Sequence, residues 1–342
     1  MAGRKIPVYT AFVNSLTKGH ERSVKAKKNI ILSGVIKGIS IAISLVLVPL
    51  TIHYVNPTKY GIWLTLSSII GWFSFFDIGL GNGMRNKFAE AMAKGEHEQA
   101  KVYVSTTYAI LSIIIGIVLG IFFVVNQFVD WTKILNTPAD MARELSLLAT
   151  IVFTFFSIRF VLNLVTTIMT ANQEPAKASF FNLLGSFLSL AVIFVLTKTT
   201  QGNLVYLGLA LGFTPIVVLT ASTLWYYKHD YRLYAPSFRY VRFKYARNLM
   251  TLGIKFFIIQ VASIVIYQTS NIIIAQLFGP EQVTPYNIAY KYFSVVPMGF
   301  GIIITPFWSA FTESWVKKDI TWIRNTMRKL ILIWGIFSAG AL

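Results

Sequence analysis

The sequence predicts an all-α fold, a polytopic membrane helix bundle made of two parallel six-helix repeats, the second of them truncated. Three observations carry this expectation. Of the 342 residues 55% are apolar and only 13% charged, against about 25% charged in ordinary soluble domains. The charges are gathered into short segments, so that stretches of about 20 residues, enough to cross a bilayer as a helix, hold one charge or none. A fixed order of segments then occurs twice along the chain.

The charge balance narrows the class. The 31 Lys and Arg outnumber the 13 Asp and Glu, for a formal net charge of +18. In a soluble protein that excess would suggest nucleic acid. Here the basic residues lie between apolar runs, where retention of Lys and Arg on the cytoplasmic side accounts for them, and no nucleic-acid partner is expected. With no Cys, disulfide frameworks, Fe–S clusters and thiolate chemistry are excluded. His20, His53, His97 and His229 are scattered without metal-ligand spacing, so neither a metal nor another cofactor is expected.

In chain order, residues 1–28 form a basic cytoplasmic tail with seven Lys and Arg and no small-residue cleavage site, unlike a signal peptide. Apolar runs then place spans at 30–54, 61–84, 102–125, 145–170, 178–197, 204–227, 249–278 and 285–307, and a ninth begins at Leu330. Alternate loops separate by charge. Those on the side of the tail hold 23 basic residues, including Arg85, Lys87, Lys94, Lys101, Lys177 and the 228–247 loop, whereas the opposite loops hold only Lys59, Lys133, Arg143 and Lys198. The N-terminus is therefore expected inside the cell.

The repeat is faint. Lys28-Asn29 with Gly34 is echoed by Arg247-Asn248 with Gly253, and Phe88-x-x-Ala91 by Phe307-x-x-Ala310, all at an offset of 219. The turns Asn56-Pro57 and Gly279-Pro280 are offset by 223. Both halves run from a basic segment through a long helix, a Pro-containing outer turn and a second helix to a basic amphipathic inner loop. This divides the chain into a six-helix N-terminal lobe, 29–247, and a partial C-terminal lobe, 248–342, roughly three helices short. An even number of helices between the starts relates the lobes by an axis along the membrane normal, with a cavity between them.

Four basic residues, Lys37, Arg159, Lys255 and Lys291, fall inside the spans. A charge at mid-bilayer costs about 2.5–3.5 kcal/mol on insertion scales and so faces a wet cavity or a partner. Arg159, between Val152–Ile158 and Phe160–Leu162, is the deepest. Lys37 and Lys255 lie six to eight residues inside their helices, where function and snorkelling to the headgroups are both open. Lys291, between Tyr290 and Tyr292, reads as a ligand or as an interfacial anchor. Asp77 is the one carboxylate deep in a span; it either pairs or takes up a proton, or it caps the helix. Gly79-x-Gly81-x-Gly83 ends a long apolar helix and suits close helix packing better than a nucleotide loop. Pro49, Pro215 and Pro297 kink their helices, and Pro49 and Pro297 are candidate hinges. Trp63, Trp72, Trp131, Trp225, Trp308 and Trp315 lie mostly near span ends, as interfacial anchors do.

The segments Asn29-Ile30-Ile31-Leu32-Ser33-Gly34, Asn56-Pro57-Thr58-Lys59-Tyr60-Gly61-Ile62-Trp63, Phe76-Asp77-Ile78-Gly79-Leu80-Gly81-Asn82-Gly83 with Arg85-Asn86, and Leu277-Phe278-Gly279-Pro280-Glu281 resemble those of bacterial polysaccharide exporters, the O-antigen type lipid-linked oligosaccharide flippases. These are relatives of the multidrug and toxin extrusion transporters. The resemblance runs from about residue 29 to 342 and implies 12 to 14 helices in two lobes. It also implies an inner-membrane transporter, not an enzyme, whose substrate is an undecaprenyl diphosphate-linked oligosaccharide. Its partners would be membrane lipids and other polysaccharide-assembly membrane proteins. The basic residues fit independently, because a diphosphate needs compensating positive charge in a wet cavity. Arg159, Lys37, Lys255 and Lys291 are thus the candidate substrate-binding residues, and Asp77, Pro49 and Pro297 the candidates for coupling and gating; no catalytic residue is assigned. Two alternatives stay open at this level: a multidrug or cation antiporter, and a membrane glycosyltransferase or polymerase acting on the same lipid carrier.

Overall fold

The computed structural model describes residues 21–342 apart from 78, 173, 305–317, 319 and 340–342. The side chains described begin at residue 31 and leave out 75–77, 93, 248, 251–256, 259–260, 263–264, 267–268, 299, 301–304, 322 and 337. Every regular element among them is helical: α1 (Glu21–Val55), α2 (Pro57–Gly71), α3 (Leu80–Lys94), α4 (His97–Val125), α5 (Trp131–Leu135), α6 (Ala142–Leu162), α7 (Leu164–Ala171), α8 (Pro175–Thr199), α9 (Leu204–Lys228), α10 (Ala246–Phe278), α11 (Pro280–Ile304) and α12 (Ile320–Ala339). Among the described residues, five helical stretches are long and apolar enough to cross a membrane: 31–55, 97–125, 139–171, 175–199 and 204–228. The fold is an all-α membrane helix bundle, as its apolar runs require.

Two expected spans are not single helices. The run 61–84 divides into α2, a 3-10 segment Trp72–Asp77 and α3, with Gly79 in the left-handed region at φ 72. Gly79 takes that conformation without a Cβ penalty, and the chain restarts as a helix running on to Lys94, through what reads from the sequence as a loop. The run 145–170 divides at Asn163, whose carbonyl accepts the Thr166 hydroxyl at 2.7 Å. Hydropathy counts apolar residues and is blind to such local hydrogen bonding, so both breaks pass unseen. The expected span 249–278 falls on α10 and that at 285–307 on α11 as far as Ile304, its last three residues lying outside the described ones; α12 begins ten residues before Leu330. Trp131, read as an interfacial anchor, is instead buried, its indole N–H donating to Asn126 Oδ1 at 2.6 Å.

The helices sort into two compact units, residues 43–288 and the combined segments 1–42 and 289–342. In the smaller unit Ile36 and Leu330 are buried, and the rings of Phe300 and Trp334 meet at 5.0 Å.

In the larger unit α9 packs on both α6 and α8, α3 on α4, and α10 along α2 and α3. Its apolar interior is not continuous. One cluster gathers Tyr54, Leu66, Phe122, Leu148, Phe153, Ile193 and Leu207, and a second gathers Met84, Phe88, Leu111, Ile168, Ala178, Leu219 and Tyr234. Along α6–α7, α8 and α9 the stretches between the two clusters carry, among large apolar residues, a set of polar or small ones: Arg159 and Asn163, then Asn182, Gly185, Ser186 and Ser189, then Thr214 and Pro215. The bundle thus has an apolar core toward each end and a polar level between them.

The two ends are held differently. At one, Asn56 (φ 78) and Gly279 (φ 92) take the same unusual backbone conformation, and each is followed by a Pro that opens a helix. The turns interlock: Thr284 donates to the Pro57 carbonyl at 2.5 Å, while Gly61 lies against the Pro280 carbonyl so closely that a Cβ would clash. At the other end Glu174 accepts from the Tyr231 hydroxyl at 2.5 Å and pairs with Lys177 at 3.1 Å, and Lys177 also reaches Asp230 at 3.3 Å. Burial raises the Glu174 pKa, but the Tyr231 hydroxyl and the Lys177 ammonium outweigh it, and the carboxyl titrates below its ordinary 4.5. A depressed folded pKa contributes stability above the unfolded value that is lost as pH falls through the folded one. The melting-temperature gap between wild type and Glu174→Gln should therefore be wide at pH 7 and narrow below pH 4.5; an equal gap at both would refute the assignment.

Candidate functional site

The site is built from the polar level. Arg159 sits in the last turn of α6, four residues before the break at Asn163. The break lets α7 restart with Thr166, Thr167 and Thr170 beside a cavity of about 420 Å3, which Ser74, Gly81, Asn82, Arg85, Phe156, Arg159, Phe160 and Asn163 also line. The first broken span supplies its opposite wall, because α3 starts after Gly79 and presents Asn82 and Arg85, one turn apart, to the same space. A second cavity of about 550 Å3 shares Arg159, Asn163 and Thr166 and continues to Asn182, Ser186, Ser189 and Pro215. Arg159 thus stands on the wall common to both.

Their chemistry is cationic on one side and neutral polar on the other. Among the described residues neither cavity is lined by Asp or Glu. Arg159 is accessible on the cavity wall and, among the described residues, has no carboxylate within ion-pair distance. The ion pairs among the described residues, Lys87 and Lys94 with Glu90, Lys133 with Asp130, and Lys177 with Glu174 and Asp230, all lie toward the ends of the bundle. A guanidinium offers five donors in a planar fork that fits phosphate or carboxylate. In the second cavity Ser186 donates to the Asn182 carbonyl at 3.1 Å, Asn182 Nδ2 to Ala178 at 3.2 Å, and Ser189 and Thr214 share a bond of 2.5 Å. Asn182 and Ser186 thus spend one hydrogen on their own helix and keep oxygen lone pairs for a guest, whereas the buried Ser189–Thr214 pair is satisfied within the bundle.

The other sequence candidates lie elsewhere. Lys37 is exposed on α1 and Lys291 half-buried on α11, both in the smaller unit. Pro297 is exposed inside an unbroken α11, and Pro49 is exposed inside an unbroken α1. The side chains of Lys255 and Asp77 lie outside the described residues, although the backbone at Asp77 closes the 3-10 segment. Arg85 was missed as a ligand because it was counted among loop charges. The signal that could have found it is the glycine run just before it, which breaks the span and turns α3 inward. Gly83 is buried where an added Cβ would strike the Leu249 carbonyl of α10, so this glycine does serve close packing.

No group of three or more His, Asp or Glu that could hold a metal occurs among the described residues. A larger cavity, about 810 Å3, lies between the start of α4 and the 240–245 segment. It mixes Glu96 and Glu98 with Arg242 and Lys244, which leaves it no net preference for an anion.

Comparison with known proteins agrees with this architecture. Two curated relatives, each named "Putative O-antigen transporter", are 22% identical over 304 residues (Salmonella typhi; 87% of this chain, 67% of that protein) and 21% identical over 295 residues (Salmonella typhimurium strain LT2; 84% and 66%). The chain spans about two thirds of their length. A solved structure described as the inward-facing conformation of a multidrug resistance MATE family transporter of the MOP superfamily superposes with a TM-score of 0.70 at 12% identity, over 90% of this chain and 68% of that one. The fold is therefore that of an integral membrane transporter family. Residues 26–311 match the family described as Polysaccharide biosynthesis protein, and because that match takes in most of the chain, all of the polar level included, the protein belongs to this family.

Proposed function

We propose that the protein carries a polyprenyl diphosphate-linked oligosaccharide from the cytoplasmic to the outer leaflet of a bacterial inner membrane, supplying surface polysaccharide by alternating access. The observation that carries this reading is Arg159: a guanidinium with no carboxylate partner among the described residues, on the wall shared by two polar cavities in a membrane bundle. The names of the Salmonella relatives support the cargo class. Arg159 and Arg85 hold the diphosphate as charge-assisted, bidentate partners, while the amide and hydroxyl wall of the second cavity accepts hydrogen bonds from the uncharged sugar. Lys37, Lys255 and Lys291 add positive charge along the path, Asp77 couples transport to protons, and Pro49 and Pro297 absorb the bending. A cation antiporter would need acidic groups at the site, and the described lining of both cavities offers none.

Deleting the gene and extracting the lipid-linked saccharides tests the reading. The expected result is a single polyprenyl diphosphate oligosaccharide accumulating on the inner leaflet while surface polysaccharide disappears. Unchanged surface polysaccharide with no accumulation would overturn it.

The sugar wall makes a separate prediction. Asn182→Ala with Ser186→Ala removes two hydrogen-bonding groups, each contributing about 0.5–1.5 kcal/mol. Delivery should fall about 5- to 150-fold while the melting temperature stays within a few degrees, because among the described residues neither side chain bonds beyond its own helix. Wild-type delivery by this variant would remove the sugar from the second cavity.

A further inference from the structure

Between α9 and α10 the chain is held in three single 3-10 turns, Arg232–Tyr234, Phe238–Tyr240 and Phe243–Tyr245. The segment is not slack. The Ser237 N–H donates to Ser105 Oγ at 3.1 Å, the Arg242 N–H to Thr106 Oγ1 at 2.9 Å, and the Tyr234 hydroxyl meets His97 Nδ1 at 2.7 Å. With Tyr231 and Tyr234 buried against the bundle, the loop has a dry base fixed on α4.

Its outer side is unlike that base. Phe238 is 96% exposed, Leu233 67% and Phe243 58%. Arg232, Arg239, Arg242 and Lys244, all exposed, alternate with them. Beyond Asp230, which Lys177 engages, the segment to residue 247 contains no acid. Leaving large apolar side chains in water forgoes about 25 cal/mol per Å2 of apolar surface. Arg242 and Lys244 share their cavity with Glu96 and Glu98, and Arg242 also donates to the Arg239 and Val241 carbonyls, but apolar tips interleaved with exposed cations are the composition of a surface that rests at the headgroup level of an anionic bilayer. The position agrees, since the loop leaves directly from α9, a helix long enough to span.

We propose that residues 232–244 form a binding platform for anionic phospholipids, in which Phe238, Leu233 and Phe243 enter the boundary between headgroups and acyl chains and the four basic side chains hold lipid phosphates. The platform is separate from the transport cavities and does not depend on what they carry. Through its bonds to Ser105 and Thr106 it ties the start of α4 to the leaflet.

The chain has no Cys, so Phe238→Cys gives this chain a single attachment point for an environment-sensitive fluorophore. In nanodiscs with about a third anionic phospholipid, the label is expected to emit in the blue and to be quenched by doxyl-labelled lipid. In wholly zwitterionic nanodiscs, or at 1 M salt, where the Debye length is about 3 Å, the quenched fraction should fall several-fold. Arg232→Gln, Arg239→Gln and Lys244→Gln together should reproduce that fall at low salt. Equal quenching in both lipid compositions would overturn the anionic assignment. A label open to aqueous iodide in both would overturn the platform altogether. A label shielded from iodide and from lipid quencher alike, in detergent as in nanodiscs, would show a protein segment on this surface and also overturn it.

Discussion

Replacing Arg159 and Arg85 together by Gln is expected to lower delivery of surface polysaccharide by at least 100-fold in a strain that lacks the chromosomal gene, with the protein still present in the membrane. Hydrogen bonds to a charged group contribute about 1.5–3 kcal/mol each, and two such groups on one diphosphate sum to about 3–6 kcal/mol. Arg159 and Arg85 both line one cavity without an acid on its described walls. Among the described residues the neutral variants lose no ion pair, so a broken salt bridge does not account for their effect. Arg159→Lys should recover only part of the activity, since an ammonium keeps the charge but not the planar fork. Delivery at wild-type level by the double Gln variant would remove the cationic site from the mechanism.

Gly83→Val is expected to lower the melting temperature of the purified protein by about 6–12 °C. Gly83 is fully buried between α3 and α10, and even a Cβ would overlap the Leu249 carbonyl. Backbone cannot rotate out of the way as a side-chain tip can, so the cost belongs at the upper end of the overpacking range, about 3 kcal/mol, at about 2–4 °C per kcal/mol for larger domains. Delivery should fall as well, because α3 also carries Asn82 and Arg85. Gly116→Ala and Gly120→Ala on α4 meet nothing within 4 Å and serve as controls, expected to be neutral or slightly stabilising. A melting temperature for Gly83→Val matching those controls would show that α3 and α10 do not approach as described.

The polar level has a consequence for motion. Each end of the larger unit has its own packed cluster, and the layer between them is the cavity itself. Helices joined by a hydrated middle slide at lower cost than helices sharing one dry core, whose close packing resists small shifts. The interlocked Pro57 and Pro280 turns close one end of such a bundle. For that end to open, the Thr284 hydroxyl must leave the Pro57 carbonyl.

Helix content and the membrane setting were legible without coordinates, since they depend on the length of apolar runs and on local backbone hydrogen bonding, and both are written along the chain. The glycines before Met84 could be read as packing residues, and Arg159 stood out as a charge with no affordable place in hydrocarbon. The division of 61–84 at Gly79 does not show in the apolar run itself, because Ser74, Asp77 and the glycines are too few to interrupt it; the Gly79-x-Gly81-x-Gly83 spacing is the one sign of a break. Arg85 was hidden for the same reason: its role follows from the direction in which α3 restarts. The second cavity was invisible because Asn182, Ser186 and Ser189 sit singly among Phe and Leu, and only the packing of α8 against α9, with Gly185 facing Pro215, brings their faces to Arg159. A chain records which residues need water or lipid; which of them share one water-filled space depends on where separate helices touch, and that is set by contacts between residues far apart in sequence.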